Sequence, residues 1–311
     1  ALRAKGGSCT RHSFKGRSMS TILLQALLNG IASGAVYGLI ALGLSLQFGV
    51  MKIINFAHGS FLMIAMYIAV WATRSLGLHP LAVIVPVAAI LFVAGYYIQR
   101  FMIEPIYAKE ATREPIGVLI FTTGLWIFLD HLFLMIAGPD YQVMSGNWSN
   151  EIVLIGDLIF SLPQIAGFVI ATLVTIGVII YLGKTRSGRM IRATGQDREA
   201  ASVLGIDSAH VYQMSFAIGL AVVGVAGCLL VPLYPVNPFV GDIFGLRAFI
   251  IVVLGGMGSI GGAFWGGIII GILESVGAQF VPVSFAEALI FIVFLAVLYV
   301  RPAGLFGLER E

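Results

Sequence analysis

The chain has 311 residues, of which 59% are hydrophobic and only 11% charged, with a formal net charge of +3. Soluble domains carry about 25% charged residues, so too little polar surface remains for a water-borne globule and lipid must solvate most of the chain. The small net charge offers nothing for nucleic acid, and the two cysteines, Cys9 in a polar tail and Cys228 in an apolar span, suggest neither a disulfide framework nor a zinc site. Backbone in lipid must satisfy its own hydrogen bonds, and the apolar runs are continuous rather than alternating. Both facts predict an all-α, polytopic helical membrane protein and disfavour a β-barrel.

Residues 1–18 form a polar, basic tail that is either native or lies upstream of a start at Met19, and 19–311 read as a single transmembrane domain. About eight hydrophobic stretches follow, near 21–50, 54–73, 80–101, 115–137, 163–183, 211–231, 246–279 and 284–300, each close to the ~20 residues that a spanning helix needs. The first and seventh are longer than one crossing and interrupted by glycine, so both are expected to be broken or re-entrant.

Lysine and arginine orient the spans. The loop 184–198 holds Lys184, Arg186, Arg189, Arg192 and Arg198, and the loop 100–113 holds Arg100, Lys109 and Arg113. The loop 138–162 has no Lys or Arg, only Asp140, Glu151 and Asp157. The first two therefore face the cytoplasm and the third faces outward. Placing the C-terminal Arg301 and Arg310 inside requires an even number of crossings after residue 210, so 246–279 must cross twice or enter and leave as two half-helices. The same parity puts the start of 21–50 outside if that stretch crosses once.

Several groups stand out within this frame. Asn55 is placed as an N-cap of the second stretch with His58 at N3, both polar at membrane depth. Asp130 and His131 stand side by side in the fourth stretch, with Glu274 and Glu287 as lesser candidates. Intramembrane ionisable groups are costly and tend to face a cavity or a partner. Two glycine ladders, Gly30/Gly34/Gly38 and Gly258/Gly262/Gly266, suit close helix packing, and their likeness hints at an internal repeat. The dense run Gly255–Gly267, with Gly255, Gly256, Gly258, Gly261 and Gly262, suggests a helix broken deep in the membrane. Pro232, Pro235 and Pro238 favour an extended, polyproline-like external segment. Gly183-Lys184-Thr185 imitates a phosphate loop, but Val178 stands where the pattern needs glycine and no strand precedes it. The chain is therefore expected to bind no nucleotide. The five histidines are scattered without metal-ligand spacing, which disfavours a membrane-embedded metalloenzyme.

Between the basic loop and the sixth stretch lies Gln196–Asp207, QDREAASVLGID, within a cytoplasmic segment 184–210. Asp197 and Glu199 suit a helix N-terminus, Ala200 and Ala201 its body, Val203 and Leu204 give an apolar face, and Gly205 can close it in the left-handed conformation. This E-A-A-x-x-x-G pattern resembles the coupling loop of ABC importer permeases. Together with INFAHG at Ile54–Gly59, LGGMGSIGGAFWGG at Leu254–Gly267 and RPAGLFG at Arg301–Gly307, it makes residues 20–308 resemble the branched-chain amino acid ABC transporter permeases, H-type subunit. The resemblance implies a multi-pass protein of the bacterial inner membrane that translocates branched-chain amino acids, urea or amides by alternating access. It implies two cytoplasmic ATPase subunits carrying ATP and Mg, an M-type permease partner or a second copy of this chain, and a periplasmic substrate-binding protein. No cofactor is expected on this chain. Asp197, Arg198, Glu199, Ala200, Ala201, Val203, Leu204 and Gly205 would couple to the ATPase, with Arg198 and the apolar face seated in its groove. Asn55, His58 and the Gly255–Gly262 break would line the path. A gradient-driven transporter using Asp130 or Glu274 as an ion site is the alternative.

Overall fold

The computed structural model describes residues 19–109, 116–144, 151–156 and 158–307. The expectations resting on the tail 1–18, Arg113, Asp157 and Arg310 lie outside these residues. Seven of the described helices are long and apolar enough to cross a membrane.

The first, α1 (Met19–Met51), is one unbroken helix of 33 residues, about 50 Å long. The expected break does not occur, because its glycines serve packing. A Cβ on Gly30 would lie 2.7 Å from Gly271 O, one on Gly34 2.7 Å from Gly267 O, and one on Gly38 2.8 Å from Phe264 O. Those partners belong to α11 (Ile260–Gly277), which runs antiparallel to α1. The first ladder is thus one side of a seam whose other side is Gly267 and Gly271, whereas Gly262 and Gly266 of the second ladder face Gly255 and Ile251.

After α1 the chain does not continue outward into a loop. Lys52 takes a left-handed φ of 57° and the segment 52–57 turns back into the bundle without helical structure. Helix α2 (His58–Leu76) begins there, with Gly59 backbone to backbone against Gly241. Helix α3 (Pro80–Ile98) continues through a π-helical turn, Gln99–Ile103, into α4 (Glu104–Lys109). Helix α5 (Ile116–Ala137) leads to a short antiparallel hairpin, β1 (Ile152–Ile155) with β2 (Leu158–Ser161). Then follow α6 (Leu162–Lys184), α7 (Arg186–Gln196), α8 (Arg198–Val203) and α9 (Ser208–Leu230). Helix α9 is mostly buried and packs on α1, α2, α3 and α6.

The seventh stretch is a hairpin of two helices, α10 (Val240–Gly255) and α11, and α10 begins six residues before the expected 246. The turn between them needs glycine: Gly256 and Gly258 have φ of 96° and 87°, which any side chain would strain. The final helix is α12 (Val283–Val300).

The two ends of the bundle separate by charge. Lys52, Arg192, Gly258 and Phe306 line one cavity, and Arg100 and His210 line another nearby surface recess. At the opposite end Gln142 pairs with Val236, Arg74 donates to Val143 O, and Gln25 of α1 donates to Ile159 O in the hairpin. The basic end is the cytoplasmic one by the positive-inside rule. Four helices, α9 to α12, lie between residue 208 and the C-terminal segment at that end, which meets the expected even count. The proline-rich segment 231–239 is not extended polyproline; it folds into turns around the Gln142–Val236 bridge, because pairing with the outer loop fixes its middle.

Candidate functional site

Helix α8 projects from the cytoplasmic end and is closed at both termini. Asp197 is its N-cap, with Oδ1 accepting from Glu199 N at 2.9 Å and Ala200 N at 3.0 Å. At the other end Gly205 N bonds Ser202 O and Ile206 N bonds Ala201 O, with Gly205 at φ 79°. That paired 5→2 and 6→1 pattern is the Schellman closure, and the left-handed residue it requires is Gly205. A six-residue helix is far too short to persist on its own in water, so these caps and its contacts define it.

Its inward side is fixed. Ala201 is buried, and the Arg198 guanidinium, although the residue is exposed, packs on two rings of its own chain. It lies 5.1 Å from the Tyr107 ring centre on α4 and 5.6 Å from the Tyr212 ring centre on α9. The two rings meet edge to face at 5.4 Å, so each offers its π surface to the cation. Gln213 of α9 donates to Glu104 of α4 at 2.7 Å beside them. Asp207 then caps α9 by accepting from Ala209 N and His210 N. Its outward side is apolar: Val203 is 87% and Leu204 79% exposed. Removing the cap with Asp197→Ala costs about 1 kcal/mol, which should speed amide exchange across 198–204 roughly fivefold by mass spectrometry while leaving the spanning helices unchanged.

The path candidates lie inside the chain. Asn55 is not the N-cap; Ala57 is, and His58 is the first helical residue rather than N3. Asn55 is drawn away by Gln47 of α1, to which Nδ2 donates at 3.1 Å, while Oδ1 accepts from Ala57 N. His58 Nε2 lies 3.0 Å from Ile40 O in the middle of α1. Both side chains are buried. Of the glycines, Gly255 and Gly262 meet backbone to backbone across the hairpin, Gly258 approaches Gly49 of α1, and Gly261 faces open space. Gly195 of α7 also touches Gly49, its Cβ position being 2.9 Å from Gly49 O. The end of α1, the cytoplasmic segment and the glycine turn therefore share one junction. The C-terminal segment closes over it, with Leu305 N donating to Leu254 O and Gly304 against Gly256.

Asp130 and His131 separate. Asp130 is buried and accepts from Ser60 Oγ at 2.7 Å, near Asp242, which accepts from Trp126 Nε1 at 2.7 Å; His131 is exposed. Glu274 pairs with Arg247 at 2.8 Å and Glu287 with the same guanidinium at 3.2 Å. Arg247 was not singled out in the sequence, although a lone arginine inside an apolar run is itself the signal. Tyr107 and Tyr212 carried none, because their meeting depends on the tertiary fold. Among the described residues no cluster of His, Cys, Asp or Glu could hold a metal.

A bundle of apolar helices with non-helical backbone at its centre and an exposed helix at its basic end is the architecture of a polytopic membrane protein. The chain belongs to the family described as branched-chain amino acid transport system / permease component, whose model matches residues 26–298. It is similar to the high-affinity branched-chain amino acid transport system permease protein BraD of Pseudomonas aeruginosa, 33% identical over 91% of this chain and 95% of that protein. It resembles LivH of Escherichia coli K12 at 32% identity over the same shares. A probable LivH of Methanocaldococcus jannaschii is 28% identical over 87% of this chain and 88% of its own. The chain is a multi-pass protein of the bacterial inner membrane and one component of a larger transport system.

Proposed function

We propose that this chain imports branched-chain amino acids as the H-type permease of an ATP-driven transporter, with α8 as the helix on which an ATPase subunit docks. The observation that carries the reading is the exposure of Val203 and Leu204 on a capped helix whose base is clamped to α4 and α9. Apolar side chains presented singly to water are ordinary, but here they top a rigid helix at the cytoplasmic end. The substrate class is supported by the printed functions of the relatives.

Two ATPases, one on each of two permeases, would supply ATP and Mg; this chain would bind neither. The second permease would be an M-type partner or another copy, and a periplasmic binding protein would deliver substrate. Closure of the ATPases would push on α8. Because Arg198 is held by both tyrosines, the push would reach α9 and, through α4 and the π-helical turn, α3. The Gly195–Gly49–Gly258 junction would carry the movement of α7 to the hairpin. Alternating access would follow as the permeases rock about this end, with Asn55, His58 and the glycine break bordering the moving region.

The test is uptake of radiolabelled leucine into proteoliposomes holding the chain with its ATPases, its permease partner and its binding protein. Uptake should require ATP inside reach of the ATPases and should stop when ATP is replaced by a non-hydrolysable analogue. Uptake by the chain alone under an ion gradient would instead establish a secondary transporter.

A further inference from the structure

The group this reading has not used is the charged cluster around Arg247. Arg247 stands in the middle of α10, eight residues before its cytoplasmic end, and its side chain is 12% exposed. Nη1 donates to Tyr37 Oη at 3.0 Å and to Glu274 at 3.3 Å; Nη2 lies 2.8 Å from Glu274 and 3.2 Å from Glu287. The guanidinium packs over the rings of Tyr37 and Phe244, and Tyr234 of the outer segment bonds Tyr37 Oη at 2.7 Å. One cation thus faces two carboxylates, and the partners are unequal. Glu274 makes two contacts and its side chain is 21% exposed; Glu287 makes one and is 54% exposed. A carboxylate on an apolar helix at this exposure is costly against lipid and is stable against water or a polar partner.

We propose that this cluster is the outer station for a zwitterionic α-amino acid. The substrate carboxylate takes the place of Glu287 on the guanidinium fork, and the freed Glu287 carboxylate receives the substrate ammonium. Glu274 stays paired and holds Arg247 in place, and Tyr37 bonds the same guanidinium. Glu274 keeps both Nη1 and Nη2, so the substrate carboxylate takes the one Nη2 contact that Glu287 leaves, a charge-assisted hydrogen bond, and no bond is made or broken beyond the exchange of ion-pair partners. The proposal rests on the amino-acid reading above and names the residues that would meet that substrate.

The experiment has two arms in the reconstituted, assembled transporter. Glu287→Cys, made with Cys9→Ser and Cys228→Ala, is exposed to a membrane-impermeant sulfonated thiol reagent on the outer side. Modification is expected; its absence means lipid or the partner permease covers the site, and overturns the proposal. In the second arm Glu287→Gln should raise the half-saturating concentration of leucine-loaded binding protein or lower maximal leucine uptake by about tenfold, and Glu287→Asp should restore most of it. ATPase co-purification should stay unchanged, which separates a substrate contact from a folding role. Unaltered uptake by Glu287→Gln overturns the assignment. If the unsubstituted complex carries an uncharged amide and not leucine, the substrate reading fails and the zwitterion site fails with it. If leucine is carried but Glu287→Gln is silent, only the site fails.

Discussion

Leu204→Asp combined with Val203→Asp should strip the ATPase from the purified permease while leaving the melting temperature of the chain unchanged. Both residues are almost fully solvated in the isolated chain, at 79% and 87% exposure. Surface changes of this kind usually move stability by no more than about 0.5 kcal/mol. In a docked complex they would be covered. Burying an aliphatic side chain contributes roughly 1.5–3 kcal/mol, and putting a carboxylate in its place adds a desolvation cost. Loss of both contacts should therefore weaken docking by at least about a hundredfold, since each 1.4 kcal/mol is a factor of ten. Co-purification in mild detergent reads the docking, and a thermal melt of the permease reads the fold. An ATPase that still elutes with the double variant would remove α8 from the coupling surface. Arg198→Ala offers a sharper contrast. Its guanidinium touches Tyr107 and Tyr212 of its own chain, so the ATPase should remain bound while ATP hydrolysis loses its dependence on transport.

Gly267→Val should abolish folded protein, whereas Gly177→Ala should be silent. A Cβ at Gly267 would run into the backbone of Gly38 and lie 2.7 Å from Gly34 O. The obstacle is backbone on a helix that is itself buried along most of its length, so no side chain can rotate away. Overpacking in well-packed cores costs about 1–3 kcal/mol, occasionally more, and here a whole helix–helix seam must part. A Cβ at Gly177 of α6 or Gly124 of α5 meets nothing within 4 Å, and alanine is the better helix former. Size-exclusion profiles of the two variants from equal amounts of membrane would decide the matter. A monodisperse Gly267→Val protein would mean that the α1–α11 seam is looser than its geometry.

These expectations show which parts of the architecture could be read from residues alone. The two crossings in 246–279 were legible from charge parity, but the glycine run, expected to break a helix deep in the membrane, instead makes a turn at the basic end, where Gly258 lines a cavity with Lys52 and Arg192. The continuity of α1 was not. Spacing at Gly30, Gly34 and Gly38 says that something approaches closely, but not whether a helix breaks there or another packs against it; the answer lay in Gly267 and Gly271. Asn55 was read as a cap because its neighbours look like a helix start, and Gln47, eight residues earlier, overruled that local preference. For α8 a helix start at Asp197 and a left-handed close at Gly205 followed from local rules, whereas the capping by Asp197 and the contact of Arg198 with two tyrosines are seen only in the fold. The Arg247 cluster shows the same limit, since its partners come from α1, α10, α11 and α12.

The seam between α1 and α11 also constrains how the protein is made. Gly30 and Gly271 lie roughly 240 residues apart in the chain. At a synthesis rate of about 5–20 residues per second, the first helix waits in the bilayer for some tens of seconds before the second exists. During that interval its glycine face lacks its partner helix, while α6 and α9 can already pack on other sides of it. Closure of this seam must therefore be a late event that follows the packing of α6 on α1. A chain truncated before residue 260 would insert its early helices and still leave the glycine face of the longest of them without its partner.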